Sequence, residues 1–255
     1  MNAASLEFIP VQGMPEFLAG DDLVEHLING LCANTTTLSN GDVLVIAQKI
    51  VSKIEGRFIN LNAVNISTKA LELAAQCQKD PRLVELILQE STDVVRCVPG
   101  VLIVRHKLGL VMANAGIDQS NVPGDDIALL LPQNPDASAQ HLAEAMQQRL
   151  GVSVAVLISD SFGRPFRNGV CGTCIGCFGL SSLYDLRGHV DREERPLAVT
   201  QLAIGDQLCA TANLVCGESN AGIPAVVVRG LADDYLKQSL PASHLVRPVQ
   251  EDLFQ

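Results

Sequence analysis

Apolar and polar positions along the chain form short blocks that predict strands and amphipathic helices in mixed order. We predict strands where apolar runs are bounded by Gly, Pro, Asn or Asp. The predicted strands are Leu6–Val11, Val43–Ala47, Val94–Val98, Val101–Val104, Leu108–Met112, Val152–Ser159 and Ala225–Val228. The three middle strands follow one another through tight turns at Pro99-Gly100 and His106-Lys107, which is typical of antiparallel neighbours.

Helices are predicted where apolar residues recur every three or four positions and capping residues stand at the ends. Asp22 supplies an N-cap for the first helix, and Pro81 occupies a favoured first-turn position in the third. The predicted helices are Leu23–Cys32, Ser67–Gln78, Pro81–Gln89, Ser138–Arg149 and Gln201–Cys216.

This mixture of helices and antiparallel-looking strands favours an α+β fold, with mixed or antiparallel sheets and flanking helices, over a doubly wound parallel sheet. The 255 residues are treated as one unit, 1–255, in which a boundary between two subdomains cannot be placed. The sequence contains neither a G-x-G-x-x-G pattern nor a Walker A pattern, so neither standard nucleotide-binding fold is indicated.

Composition narrows the function classes. With 47% hydrophobic and 18% charged residues, the chain can bury a sizeable core and is not disordered. The net charge of -10 argues against a nucleic-acid binder, which needs clustered Lys and Arg, and 4% aromatic residues offer few stacking surfaces for single strands.

The sequence also argues against membrane insertion. No Lys or Arg precedes Lys49, so the N-terminus lacks the basic region of a signal peptide. No apolar run approaches the ~18–20 residues that a membrane-spanning helix needs. We therefore expect a soluble cytoplasmic protein that binds neither membranes nor nucleic acid.

Four segments combine Gly, carboxylate, amide and basic side chains beside apolar strands, where binding groups concentrate. Asp160 follows a buried strand and precedes a hydroxyl and two arginines, which suits a metal–phosphate site, since hard cations take oxygen ligands and Arg binds phosphate. The segments are Gln48–Arg57, Asn114–Asn121, Ser159–Arg167 and Gly217–Pro224.

Each segment also has an ordinary structural interpretation. Asp160 and Ser161 could cap a turn, with both arginines in surface pairs. The basic residues of Gln48–Arg57 could form a solvated amphipathic face. The stretch Gly217–Pro224 could be a plain helix-to-strand connection with a glycine C-cap.

Together and in this order, the segments resemble the coenzyme F420-0:L-glutamate ligase (gamma-glutamyl ligase) family, which builds the oligoglutamate tail of the deazaflavin coenzyme F420. The similarity runs from about Phe8 to Leu231. It is carried by Gly41–Val45, Lys49–Lys53, Glu55–Arg57, Asn114–Asn121, Asp160–Val170 and Gly222–Gly230. The resemblance implies a gamma-glutamyl ligase-like fold and an intertwined homodimer.

The resemblance implies a GTP-dependent amide ligase. In that family GTP phosphorylates the terminal carboxylate of F420-0, and the amine of L-glutamate attacks the acyl phosphate, releasing GDP and phosphate. Such chemistry depends on positioning and charge neutralisation rather than on a covalent nucleophile. The implied cofactors are Mg²⁺ or Mn²⁺, with a monovalent cation such as K⁺ as a further candidate.

Carried over by position, the resemblance assigns Asp118, Asp160 and Ser161 to the divalent metal. Asn121 would contact the phosphates or the reacting carboxylate, and Asp118, Asp160 and Asn121 form the implied catalytic set. Arg164 and Arg167 are additional candidates for binding phosphate or a substrate carboxylate. The implied nucleotide contacts are Met14, Pro15, Glu16, Phe17, Gln48, Lys49, Lys53, Gly217, Glu218, Ser219, Asn220, Ala221, Gly222 and Ile223.

The family does not predict the spacing Cys171-x-x-Cys174-x-x-Cys177. Three such cysteines can ligate an iron–sulfur cluster, but a fourth ligand is normally needed and no Cys-Pro follows. Family members carry small aliphatic residues at these positions. We therefore expect the three cysteines to be small buried hydrophobes.

Three further functions stay open at this point. A ligase of the same fold could act on a different carboxylate, or the chain could bind nucleotide or metal without ligase activity. An iron–sulfur redox protein built on the cysteine cluster is the third.

Overall fold

A computed structural model describes residues 5–120 and 122–252. Elements are numbered along the chain. The helices are α1 (Leu23–Ala33), α2 (Gln48–Ile54), α3 (Thr68–Cys77), α4 (Pro81–Gln89), α5 (Pro135–Leu150) and α6 (Ile204–Cys216). The strands are β1 (Glu7–Val11), β2 (Val43–Ala47), β3 (Phe58–Asn60), β4 (Ser91–Val98), β5 (Val101–His106), β6 (Val111–Ala113), β7 (Ile127–Leu129), β8 (Ala155–Arg164), β9 (Arg167–Phe178), β10 (Tyr184–Asp185), β11 (Gln201–Leu202) and β12 (Ala225–Arg229).

A mixed five-stranded sheet in the order β1-β12-β2-β8-β9 carries the fold. Three of its strand pairs are antiparallel, and β2 with β8 is parallel. Smaller sheets pair β3 with β7, β10 with β11, and β4, β5 and β6 in sequence. The predicted α+β class with mixed and antiparallel sheets is thus confirmed, whereas the homodimer stays a prediction.

The continuous apolar run of β2 is explained by burial on both faces of this sheet. Leu44 and Ile46 pack in a core that contains residues of α1 and α5. Val43 and Val45 pack on the other face, in a core that contains residues of α6. The central strand therefore sits between two layers of helices.

A third core lies away from the central sheet. It includes Leu61, Ile87 and Leu102, among residues of α3, α4, β5 and the β3–β7 pair. The assignment of residues 1–255 to one unit, with no placed subdomain boundary, stays a prediction.

Capping side chains place the helix ends close to where the sequence predicts them. Asp22 accepts a hydrogen bond from the backbone N–H of Glu25, and Ser67 does the same for Ala70. Ser67 and Gln78 therefore flank α3 as its caps, one residue outside each end. Such side chains satisfy backbone donors that an open helix end leaves unpaired.

An ion pair joins β2 to β12 at the edge of the core. Arg229 donates from Nε to Asp42 Oδ1 at 3.0 Å and from a terminal nitrogen to Asp42 Oδ2 at 2.6 Å. The side chain of Asp42 is 3% exposed and that of Arg229 is 35% exposed. Both residues lie in sequence runs that carry the family resemblance. In the structure their ion pair ties β12 to the start of β2.

Four predicted strands differ from the structure by more than one residue. The expected strand Leu108–Met112 is only Val111–Ala113, because Gly109, with φ +86°, and the His106–Leu110 hydrogen bond extend the turn expected at His106-Lys107. Strand β4 begins at Ser91 rather than Val94, and β5 continues to His106. The expected strand Val152–Ser159 is β8, which begins later and runs on to Arg164.

The segment Ser159–Arg167 is therefore not the loop that the sequence suggested. Its residues to Arg164 are strand, because β9 pairs with them from Ser159 to Arg164. Strand β9 was not predicted, since its Gly- and Cys-rich sequence has little β propensity of its own.

Two predicted helices have different ends. Helix α5 begins at Pro135 rather than Ser138, because Asn134 caps the N–H of Ala137 and Pro135 fills the first turn. Helix α6 begins at Ile204 rather than Gln201, since Gln201–Leu202 pairs with β10.

The cysteine cluster lies on β9 beside α6. Cys174 and Cys177 are 2% exposed and pack in a core with the fully buried Cys209. Their burial is as predicted, whereas Cys171 is half-buried. Contacts with the Cys177 and Cys209 thiols, together with burial, raise the pKa of the Cys174 thiol. In the described ranges no helix has the length and apolar character needed to cross a membrane.

Candidate active site

A cavity of about 600 Å³ opens at the carboxyl end of β2. Strand β2 ends at Ala47, opposite Ser159, whereas β8 continues with β9 as its partner. The following residues of β8 thus face an open edge, and crevices beyond the carboxyl ends of strands are common ligand sites in α/β sheets. The lining residues fall within 14–17, 45–53, 118–120, 159–161 and 212–224.

An ion pair between Lys49 and Asp118 crosses this cavity. Lys49 Nζ lies 2.6 Å from Asp118 Oδ2, and both side chains are 27% exposed. The same ammonium donates to Ser120 Oγ at 3.0 Å. Burial acts to raise the pKa of the Asp118 carboxyl. The Lys49 ammonium and the Ser120 N–H outweigh burial and hold this pKa below its ordinary value.

The backbone around Asp118 is held rigidly. Its N–H and C=O pair with Leu129 at 3.0 and 2.8 Å. The three residues Asn114, Ala115 and Gly116 have φ of +53°, +54° and +66°, a left-handed run that costs energy for the two that are not glycine. This turn carries the chain from β6 into the cavity and brings Asp118 opposite Lys49.

Asp160 lies on β8, half-buried in the cavity wall. Burial, together with repulsion from Asp118 and Glu218, raises the pKa of its carboxyl to about 6. The N–H of Ser161 donates to Asp160 Oδ1 at 2.9 Å and favours the charged form without offsetting those effects. Asp160 is thus a carboxylate whose charge the protein compensates incompletely.

Ser161 serves a different set of partners. Successive residues of a strand project to opposite faces, so Asp160 and Ser161 point away from each other. The Ser161 hydroxyl donates to Glu218 Oε2 at 3.0 Å, and Asn213 Nδ2 donates to Glu218 Oε1 at 2.8 Å. The structure therefore divides the predicted ligands Asp118, Asp160 and Ser161 into two neighbouring groups.

The second lysine of the cavity is paired at its rim. Lys53 Nζ lies 2.9 Å from Glu16 Oε2, with the lysine side chain 7% and the glutamate side chain 89% exposed. Glu16 belongs to the stretch 14–17, which follows β1 and is anchored by the buried Phe17. This pair links the stretch 14–17 to α2 within the cavity lining.

The charged lining favours a divalent cation. Two ammonium groups, on Lys49 and Lys53, stand against the carboxylates of Glu16, Asp118, Asp160 and Glu218. A polyanionic nucleotide would be repelled by this balance unless further positive charge entered. Carboxylate and hydroxyl oxygens are ligands that Mg²⁺ and Mn²⁺ prefer, so the donor set fits a divalent metal. Over the described ranges, however, no three His, Cys, Asp or Glu side chains are already gathered as a metal site.

All of the predicted nucleotide contacts line the cavity, as do the three predicted metal ligands. Arg164 and Arg167 do not: both are exposed at the turn between β8 and β9, outside the lining, so the structure gives no support to their predicted phosphate role. Asn121 falls outside the described residues, and its predicted role stays a prediction.

Two lining residues were not singled out from the sequence. Ser120 supplies its hydroxyl to Lys49, and Asn213 positions Glu218. Ser120 lies within the recognised run Asn114–Asn121, which was the available signal. Asn213 lies inside α6, and nothing in its local spacing distinguishes it.

Comparison with known proteins decides the family. The family model described as F420-0:Gamma-glutamyl ligase matches residues 13–230, a range that includes every segment of the cavity lining. The chain belongs to the F420-0:gamma-glutamyl ligase family.

Relatives within the gamma-glutamyl ligase family align over almost the whole chain. A protein named Coenzyme F420:L-glutamate ligase from Methanothermobacter thermautotrophicus is 41% identical over 250 residues, covering 98% of this chain and 99% of its own length. The protein of that name from Methanopyrus kandleri is 41% identical over 253 residues, covering 98% of each chain. The one from Natronomonas pharaonis is 43% identical over 230 residues, covering 88% of this chain and 86% of its own.

Proposed function

We propose that this chain is a GTP- and divalent-metal-dependent ligase that joins L-glutamate to the terminal carboxylate of coenzyme F420-0. The relatives that align over nearly its full length are named for glutamate ligation to this coenzyme. The observation that carries the proposal is the single cavity into which the fold gathers both lysines, both aspartates and the 217–223 loop. These come from segments that are far apart in the sequence.

The lysines are the groups that would hold nucleotide phosphates. Each reaches the cavity from α2, one turn apart on the same helix, so both ammonium groups would be available to one bound polyphosphate. The loop 217–223 lines the same cavity and contains Gly217 and Gly222, with φ of +71° and +65°. Backbone N–H groups in such loops can bind phosphate oxygens.

Asp118 and Asp160 would hold the divalent metal. When bound, Mg²⁺ or Mn²⁺ supplies charge neutralisation for the phosphates. Ser161 and Glu218 provide further oxygens beside them.

The proposed reaction balances in two steps. A carboxylate oxygen of F420-0 bonds to the γ-phosphorus of GTP as the bond to the GDP oxygen breaks, giving an acyl phosphate. The amine nitrogen of L-glutamate then bonds to the acyl carbon, phosphate leaves, and the amine gives up a proton. The role of the protein is to orient these groups and exclude water.

An omission experiment tests this function. GDP release is measured with GTP, Mg²⁺, L-glutamate and F420-0 together, and then with each left out in turn. We expect release only in the complete mixture. Release without the deazaflavin would contradict the proposal, because the phosphoryl group of GTP would then pass to water or to a carboxylate of L-glutamate itself. Nucleotide binding with no turnover would indicate a binding module.

A further inference from the structure

The Lys49 ammonium contacts side-chain oxygens of Asp118 and Ser120, which a metal bound at Asp118 would need as ligands. Its Nζ contacts Asp118 Oδ2 at 2.6 Å and Ser120 Oγ at 3.0 Å. A carboxylate oxygen and a hydroxyl oxygen beside a second carboxylate, that of Asp160, form a set suited to a hard cation. The Lys49 ammonium thus places its positive charge where a bound metal ion would place its own.

We propose that Lys49 is the resident counter-ion of Asp118, which a divalent metal must displace, and that the displaced ammonium then turns to the nucleotide phosphates. This inference rests on the proposed function. An ammonium and a divalent cation cannot share one carboxylate closely without strong repulsion. Lys49 has a flexible four-carbon side chain and lines the same cavity, so it can change partners without movement of α2.

Lys53 provides a matched comparison inside the same cavity. It lies on the same helix, carries the same charge and is also paired with a carboxylate. Its partner Glu16 is 89% exposed, whereas Asp118 is 27% exposed, and Lys53 makes no ion pair with Asp118 or Asp160 among the described residues. A metal bound at the aspartates therefore does not need Lys53 to leave its partner.

The exchange couples the two ligands. Metal binding frees an ammonium for phosphate, and phosphate binding holds that ammonium away from Asp118. Because coupling between two sites is reciprocal, each ligand then favours the other. Without metal, the Lys49 ammonium supplies the positive charge beside Asp118 and Asp160.

The test is Mn²⁺ binding without nucleotide, followed by electron paramagnetic resonance, on wild type, K49M and K53M. We expect K49M to bind Mn²⁺ roughly fivefold more tightly than wild type and K53M to stay close to wild type. Equal tightening in both variants would show a general field effect and overturn the proposal. Unchanged or weaker binding in K49M would overturn it as well, with K49Q confirming the result if K49M folds poorly.

A second measurement uses the unaltered protein. The rate at which an amine-modifying reagent labels Lys49 is followed by mass spectrometry with and without Mn²⁺. We expect labelling of Lys49 to rise with Mn²⁺ while Lys53 does not change, and an unchanged Lys49 rate would overturn the exchange. Neither measurement involves turnover, so failure of the ligase assay and failure of the exchange are distinguishable.

Discussion

Asp160 and Ser161 are consecutive residues of β8, yet they serve different sides of the candidate site. The Asp160 carboxylate interacts electrostatically with Asp118, Lys49 and Glu218, whereas the Ser161 hydroxyl donates a hydrogen bond to Glu218 at 3.0 Å. The strand alternation therefore lets two adjacent residues build two groups of oxygens at one open sheet edge. Two of the following predictions test the roles that this arrangement assigns to Asp160 and Ser161.

D160N should stabilise the protein without metal while abolishing metal-dependent GDP release. The folded-state pKa of Asp160 is raised to about 6 from an ordinary value of 3.8, so its charge destabilises the fold at neutral pH. The gain in Tm, about 3 °C or more with EDTA at pH 7, should be complete above pH 6. It should shrink as pH falls from 6 and vanish below 3.8, where the aspartate is protonated in both states.

D185N is the matched control for the sign of this effect. Hydrogen bonds from Arg187 lower the pKa of the exposed Asp185 to about 2, so its charge does not oppose folding. We expect the Tm of D185N to be no higher than that of wild type at every pH tested. A D160N protein that is less stable than wild type at pH 7 in EDTA would contradict the raised pKa of Asp160. A D160N protein that keeps its activity would contradict the proposed metal-binding role of Asp160.

The hydroxyl of residue 161 should matter more than its exact side chain. S161A removes the donor to Glu218 and an oxygen beside the proposed metal ligands, so we expect GDP release to fall roughly tenfold or more. S161T keeps the oxygen and should stay near wild type. Equal losses in both variants, measured by steady-state kinetics, would show that the hydroxyl is not the group that counts.

Loss of the Asp42–Arg229 pair should destabilise the fold rather than alter the site. R229M leaves the nearly buried Asp42 carboxylate without its partner, and we expect a loss of ~2–3 kcal/mol because solvent at the guanidinium screens part of the effect. Urea denaturation measures this. R187M, which removes the exposed partner of Asp185, is the control and should leave the midpoint unchanged.

Gly176 should tolerate no side chain. A Cβ there would lie 2.4 Å from the carbonyl oxygen of Pro135 at the start of α5, so G176A should cost ~1–3 kcal/mol. Gly163 on β8 has no atom within 4 Å of such a Cβ, and G163A should be close to neutral. Equal stability of the two variants in urea would contradict the packing of α5 on β9.

The sequence predicted correctly the ends of those elements that are determined by residues close to them in the chain. Strand β2 and helix α4 have the predicted ends because an apolar run and an Asp-Pro cap are visible within a few residues. Strand β8 past Ser159 was not predictable, because its hydrogen-bond partners lie on β9, which has no strand pattern of its own. Arg164 and Arg167 flank the turn between these two strands, and their predicted phosphate role stays a prediction.

The candidate site was accessible from the sequence as a set of residues but not as a geometry. Collinear motifs indicated Lys49, Asp118 and Asp160, and the structure brings them to one cavity. The pairing of Lys49 with Asp118, and of Ser161 with Glu218, depends on tertiary contacts between distant segments. Charge signs alone could not show which carboxylate each lysine would meet.

The most direct test of the proposed ligase is mass spectrometry of a reaction in which the terminal carboxylate of F420-0 carries ¹⁸O. With GTP, Mg²⁺ and L-glutamate, we expect the deazaflavin to gain a glutamyl residue and the released phosphate to carry ¹⁸O from that carboxylate. GTP hydrolysis with an unchanged deazaflavin, or a glutamylated product without ¹⁸O in the phosphate, would contradict the account.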